Sequence, residues 1–313
     1  MQGGGPAALA GGPGDSVRAL VEKGTKMPDV SVLGSGSMGS ALARVLGAAG
    51  LDVAVWNRTA DRARALGGEG LLPVERLADA VRCAPVVLVC LTDYAATRQA
   101  LTPVIGETRD RIVVQMSTGT PADAREMEAW LRPPGCRYLD AAIMAYPRHL
   151  GTDHARVLYC GPGEDFAAIG HVARALGGTA AFVGDDITLA NAHDAALLTF
   201  LYAATCGFLE GAAIASAAGV PLGGYADGVV HLFPALEHTV RVSVPLIAAG
   251  RYDVDEASLA VHSGALRHLA AAGQEVGVSD PVAAVLGERV RRRMAVGTAR
   301  EHIAAVFEEL RAP

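Results

Sequence analysis

The stretch Val30-Ser-Val-Leu-Gly34-Ser-Gly36-Ser-Met-Gly39 decides the fold. Val30, Val32 and Leu33 make its first four residues read as a strand, the glycines keep the spacing G-x-G-x-x-G, and the Ala/Leu-rich run to Ala49 reads as a helix. Gly50 ends that helix, and the run Val53–Trp56 supplies a second strand, closing a βαβ unit. In this setting Gly34 makes the tight turn, Gly36 lets the backbone approach a pyrophosphate, and Gly39 packs helix against strand, while the helix N-terminus offers its positive dipole to phosphate. A lone G-x-G-x-x-G can mean no more than a tight turn; the flanking strand and helix make it a dinucleotide site, with Gly34, Ser35, Gly36, Ser37, Met38 and Gly39 as expected cofactor contacts.

Outward from this unit, further strands are expected at residues 86–91, 112–116, 137–140 and 157–160, with helices at Pro121–Leu131 and 166–176 between them. Such alternation predicts an α/β fold: a mostly parallel, doubly wound Rossmann-type sheet with helices on both faces. After Val183 Ala-rich segments take over, and residues 188–218 run without proline, longer than most globular helices. They are expected to form a long interdomain helix leading into an all-α C-terminal bundle punctuated by Pro221, Pro234, Pro245 and Pro281. Residues 1–26, rich in Gly, Ala and Pro, read as a disordered tail, 27–187 as the nucleotide-binding domain and 188–313 as the interdomain helix with a helical dimerisation and substrate domain.

Composition narrows the partners. With 51% hydrophobic and 19% charged residues the chain can bury a sizeable core, and a net charge of −6 argues against nucleic acid and anionic membranes, which require clustered cations. A small molecule is the expected partner. The five cysteines are scattered without a C-x-x-C pair, so neither a disulfide framework nor a zinc site is expected, and His149, His154 and His193 have no metal-ligand spacing. No apolar run is read as approaching the ~20 residues that cross a bilayer, and no signal-peptide pattern is seen, so the expected location is the cytoplasm. Lysine is confined to Lys23 and Lys26 in the tail; every other basic residue counted as Lys or Arg is arginine.

The end of the second strand chooses the cofactor. An acidic residue there would accept from the ribose 2′-OH of NAD, but this chain has Asn57-Arg58-Thr59, with Arg62 a turn further on. Guanidinium and hydroxyl groups suit a 2′-phosphate, so NADPH is the expected cofactor; the bland alternative is a pair of solvated arginines at a helix start.

Taken together, Val32-Leu-Gly-Ser-Gly-Ser-Met-Gly39, Trp56-Asn-Arg-Thr59, Cys90-Leu-Thr-Asp93, Met116-Ser-Thr-Gly-Thr-Pro121 and Asp140-Ala-Ala-Ile-Met-Ala145 resemble the β-hydroxyacid dehydrogenase superfamily. Ile143-Met-Ala-Tyr-Pro147, Gly151-Thr152 and Leu158-Tyr-Cys-Gly161 are more similar to its imine reductases and reductive aminases. The resemblance runs from about Pro28 to Pro313, with cofactor contacts expected at Cys90, Leu91 and Thr92 and with Ser117 and Thr118 expected beside the nicotinamide at a strand's carboxyl end, although relatives often carry Asn at the Thr118 position. Hydroxyacid dehydrogenases of the superfamily place a lysine on the interdomain helix, and here the corresponding stretch offers Asp194 instead, followed by Tyr202. A carboxylate suits a C=N substrate: it can stabilise an iminium cation or, protonated, supply the proton, where an ammonium would repel. Alanines and leucines flank Asp194, so a raised pKa is expected; the competing readings are a helix-surface aspartate or an arginine's structural partner. Tyr202 donates to the substrate nitrogen, holds Asp194, or is a core tyrosine.

The substrate pocket implied by the resemblance includes Met144, Tyr146, His231, Phe233 and His262, each with a structural alternative. A homodimer is expected, domain-swapped by resemblance, so that one subunit's nucleotide domain faces the other's bundle. The expected function is NADPH-dependent reduction of an imine or iminium, cyclic by preference. A lysine-less carbonyl or hydroxyacid reductase and a non-catalytic NADPH-binding protein are the alternatives.

Overall fold

The computed structural model describes residues 27–67, 70–253, 257–278, 281–297 and 299–311; the expected tail at 1–26 lies outside them. The chain divides into two compact units between Leu197 and Leu198. The first carries β1 (Val30–Leu33), β2 (Val53–Trp56), β3 (Leu71–Pro73), β4 (Val86–Val89), β5 (Ile112–Gln115), β6 (Arg137–Ile143), β7 (Arg156–Cys160) and β8 (Thr179–Gly184) in the spatial order 3-2-1-4-5-6-7-8. Among the described strands of this sheet β6 and β7 pair antiparallel and the other neighbours pair parallel. Strands β1, β2, β4 and β5 are buried at every position. Their unbroken apolar runs follow from having helices on both faces.

In chain order the helices are α1 (Ser37–Ala48), α2 (Ala60–Arg64), α3 (Leu77–Arg82), α4 (Tyr94–Leu101), α5 (Pro121–Leu131), α6 (Gly163–Ala168), α7 (Gly170–Ala175) and α8 (Leu189–Ala217). One core packs Leu42, Ala43 and Leu46 of α1 on Val30, Val32 and Val55. The other packs Leu101 of α4 and Met127 and Leu131 of α5 on Leu33, Val87 and Val113. Helix α5 begins as expected, with Pro121 in its first turn and Thr120 and Asp123 in a reciprocal capping box. The strand order reverses between β1 and β4, so the carboxyl ends of these strands open the crevice where doubly wound sheets bind ligands.

Three features differ from expectation. Strands β3 and β8 lie at the two sheet edges; β3 has three residues and ends in proline, and β8 begins Thr-Ala-Ala, so neither carries a strong strand pattern. The helix expected over 166–176 is two short helices, because Ile169 leaves the helical region at φ −90°, ψ 6°. Pro245 does not punctuate the bundle but lies inside a helix, four residues before Ala249, where only a late-turn hydrogen bond is lost.

The second unit comprises the rest of α8 with α9 (Leu222–His231), α10 (Phe233–Ala249), α11 (Leu259–Glu275) and α12 (Val282–Val296). Its core is small: Tyr252, Leu259, Val290 and Ala304–Val306 are buried together. Glu210 of α8 ties the start of α12, accepting from the Val282 N–H at 3.1 and 2.9 Å. No residue of α9 or α10 is buried within the chain. The expectation about apolar runs needs correcting: by length and composition α8 is long and apolar enough to cross a membrane. Scattered polar residues such as Asn191, Asp194 and Glu210 interrupt the run without lowering its average below that of a spanning helix. The first turns of α8 are nonetheless docked on the sheet, with Ala190, Asn191 and Asp194 buried.

Candidate active site

Two adjoining cavities open at the carboxyl ends of β1 and β4. The larger, about 660 Å3, is lined by the glycine-rich turn (Gly34, Gly36, Ser37, Met38, Gly39), by Asn57, Arg58, Thr59 and Arg62, and by Cys90, Leu91 and Thr92. Gly34 has φ +105°, and a Cβ there would stand 2.3 Å from the Cys90 carbonyl oxygen. A Cβ on Gly39 would stand 2.0 Å from the Gly34 carbonyl oxygen, so glycine is what lets α1 lie against the turn. Gly36 is different: a Cβ would meet nothing within 4 Å, so its smallness serves no internal packing and instead leaves the backbone open toward the cleft. Gly36 also precedes α1 without any side-chain cap, leaving that helix start to offer its N–H groups to an anion.

The far end of the cleft is cationic. No ion pair forms to Arg58 or Arg62 among the described residues, whereas neighbouring Arg64 is held by Asp61 and Glu75. Asn57 acts as a clip, accepting from the Ser35 N–H at 3.1 Å and donating to the Thr59 carbonyl at 3.1 Å. Ser35 does not line the cleft; its amide goes to that clip and its hydroxyl is buried. The residues present fit a 2′-phosphorylated dinucleotide: uncapped helix, open glycine, Asn57-Arg58-Thr59 in place of a carboxylate at the end of β2, and two guanidinium groups without an ion pair among the described residues.

The smaller cavity, about 210 Å3, shares Met38, Cys90, Leu91 and Thr92 with the cleft and adds Met116, Ser117, Thr118, Ala141, Ala142, Ile143, Asn191 and Asp194. Asp194 is 6% exposed and has no hydrogen-bond or ion-pair partner among the described residues. Burial pushes its carboxyl above the usual carboxylate range. Neither alternative reading of this residue fits, because it is not on a solvated face and pairs with no arginine. Ser117 donates to the Leu91 carbonyl at 3.0 Å, binding two walls of the cavity together. The Cys90 thiol is pushed up to about 11 by burial and stays neutral.

The family models that match are the NAD binding domain of 6-phosphogluconate dehydrogenase, over residues 29–184, and the NADPH-dependent reductive aminase-like C-terminal domain, over 186–312. An imine reductase from Myxococcus stipitatus, solved in complex with NADP+, is 32% identical; the match covers 91% of this chain and 100% of that one, with a TM-score of 0.86. This chain belongs to the imine reductase family. A reductive aminase from Aspergillus terreus, solved with NADPH and ethyl levulinate, is 29% identical over 91% of this chain and 100% of that one, TM-score 0.84. A curated NADPH-dependent reductive aminase from Aspergillus oryzae is 27% identical over 89% of this chain and 96% of its own length.

Of the remaining residues singled out by sequence, four lie in the second unit and Met144 and Tyr146 in the first. Tyr202 and Phe233 are 68% and 56% exposed, His231 is exposed and His262 half-buried, all in the second unit. Phe233 lines an apolar groove with Phe200, Leu236 and Val240. Met144 packs beside Ala142, Leu158 and Ala190 instead of lining the smaller cavity, and Tyr146 is 60% exposed, edge-on to His149 and under the Arg148 guanidinium. Sequence reasoning missed Asn191 and the buried group behind it. The Asp140 carboxylate accepts from Tyr94 at 2.5 Å, from Tyr138 at 2.7 Å and from the Asn191 amide at 3.2 Å. Burial raises Asp140 to about 7 against those hydrogen bonds. The available signal was a charged residue set in the apolar run Leu139-Asp140-Ala141-Ala142-Ile143.

Proposed function

We propose that the chain reduces a C=N bond, with NADPH in the larger cleft and the imine or iminium carbon in the smaller cavity beside Asp194. It is an NADPH-dependent oxidoreductase, as its family placement implies. The observation that carries the proposal is the buried, unpartnered Asp194 carboxyl in a cavity that shares four residues with the nucleotide cleft. NADPH supplies a hydride when bound. Gly34, Gly36 and the start of α1 would hold its pyrophosphate, Arg58, Thr59 and Arg62 its 2′-phosphate, and Leu91, Thr92, Ser117 and Thr118 would flank the nicotinamide. Asp194 supplies the proton to nitrogen, or as carboxylate anchors the iminium charge; its small apolar surroundings strengthen either interaction by excluding water. Burial raises its pKa, which favours the donor role.

Tyr202, His231, Phe233 and His262 enter this reading through a second copy of the chain. Phe200, Leu201, Leu209, Leu232 and Phe233 are 47 to 61% exposed, a density of apolar surface that a homodimer, domain-swapped as the sequence leads one to expect, would cover. A partner's bundle would then complete the substrate pocket. A panel of NADPH consumption over cyclic imines, ketone and amine mixtures, and 3-hydroxy acids with NADP+ tests the activity. Turnover of a pyrroline-type imine is expected; turnover of hydroxy acids alone would replace the proposal with the dehydrogenase reading, and silence throughout despite tight NADPH binding would remove catalysis altogether.

A further inference from the structure

Four chain segments build the smaller cavity besides Met38: Cys90–Thr92, Met116–Thr118, Ala141–Ile143, and the first turns of α8 with Asn191 and Asp194. One buried side chain is tied to all four, through Asn191 itself and through residues next to the other three. Tyr94, 6% exposed, opens α4 two residues after Thr92. Its ring lies against Gly119, where an added Cβ would stand 2.2 Å from Tyr94 Cε2, one residue after Thr118. Its hydroxyl donates to Asp140 Oδ2 at 2.5 Å, one residue before Ala141, and accepts from Asn191 Nδ2 at 2.6 Å, on the same helix face as Asp194 three residues on. Asn191 also donates to the Thr120 carbonyl at 3.4 Å, closing the ring of contacts. We propose that Tyr94 is a positioning residue for the reduction, its hydroxyl and ring together holding the four walls in the register that aims the Asp194 carboxyl.

Tyr138 supplies the internal control. It too is buried, at 4% exposure, and it too donates to Asp140 Oδ2, at 2.7 Å, but no hydrogen bond links its hydroxyl to Asn191. Removing either hydroxyl takes one donor from the same carboxylate oxygen, so the loss of that bond by itself affects the two variants alike. A positioning role separates them, since of the two hydroxyls that of Tyr94 alone also bonds Asn191 of α8, beside the direct bond from Asn191 to Asp140. Displacing a reacting group by an ångström is worth up to a hundredfold in rate.

This inference rests on Asp194 being the reacting carboxyl, and the experiment separates the two. Tyr94→Phe, Tyr138→Phe, Asp194→Asn and the double variant Tyr94→Phe/Asp194→Asn are assayed on a preformed cyclic imine, alongside NADPH affinity and thermal melting. Expected is a tenfold or greater fall in kcat for Tyr94→Phe, with NADPH Kd within twofold. Tyr138→Phe melts earlier to a similar degree yet keeps kcat within twofold. On the Asp194→Asn background Tyr94→Phe adds less than threefold, because the group it aims is already gone. Equal kcat for the two phenylalanine variants overturns the positioning role; wild-type kcat in Asp194→Asn overturns the assignment of Asp194 instead. If Tyr94→Phe does not stay folded at assay temperature, Asn191→Ala removes the shared donor and is expected to show the same split between kcat and NADPH Kd, with its absence counting against the proposal.

Discussion

At the scale of single residues the chemistry depends on what surrounds Asp194. Among small apolar neighbours and without a cationic partner, its charged form is penalised and its pKa is raised. The sign for activity follows: a proton donor works while protonated, so turnover holds below the raised pKa and falls as pH passes through it. The alkaline limb of kcat is therefore expected above the ordinary carboxylate range. Asp194→Asn is expected to lower kcat by about 10²- to 10⁴-fold, the usual scale of general acid catalysis, and to abolish that limb. Steady-state pH profiles on a preformed imine check both, and a limb unchanged in the variant would assign it to another group. The identity of Asp194 was legible because the folded body has no lysine to take its place. The Tyr94, Asp140 and Asn191 group was not, since it joins residues 46 and 97 positions apart and no local pattern encodes such a contact.

At the scale of elements, the β1–turn–α1 unit was readable almost completely, because each glycine answers a separate steric demand set by neighbours in sequence. Strands β3 and β8 were not, because their edge positions demand little of their side chains. The glycines now make opposed predictions. Gly39→Ala places a Cβ on the Gly34 carbonyl oxygen and is expected to cost about 2 kcal/mol or more of stability, along with NADPH binding. Gly36→Ala meets no protein atom, and its backbone, φ −69°, ψ −172°, is open to alanine. Its unfolding free energy is expected to stay within about 0.5 kcal/mol of the parent. NADPH affinity should nevertheless fall at least tenfold, because the methyl projects into the cleft where the pyrophosphate must approach. Urea unfolding and fluorescence titration separate the two; if Gly36→Ala bound NADPH normally, the turn would not be the phosphate site.

At the scale of the whole molecule, the contrast between the two units is informative. The first buries its central strands on both faces, whereas no residue of α9 or α10 is fully buried within the chain, with Leu246 and Ile247 half-buried on the second core, and α8 exposes Leu201 and Leu209 at 47% and 60%. Surface of that kind needs a cover in water, and the same helix composition that passes for a membrane span is accounted for if a second copy supplies it. Leu209→Arg discriminates. On a solvated monomer, changing an exposed leucine moves stability by no more than about 0.5 kcal/mol and leaves the assembly unaltered. Within a dimer interface it buries an unpaired charge, so light scattering is expected to show a shift from twice the chain mass to once. Because the nucleotide cleft is lined entirely by the first unit, NADPH should still bind to the dissociated chain, while turnover is lost with the partner's share of the substrate pocket. A parent protein that scatters as a monomer, or a monomeric variant with full turnover, would mean that one chain completes its own site.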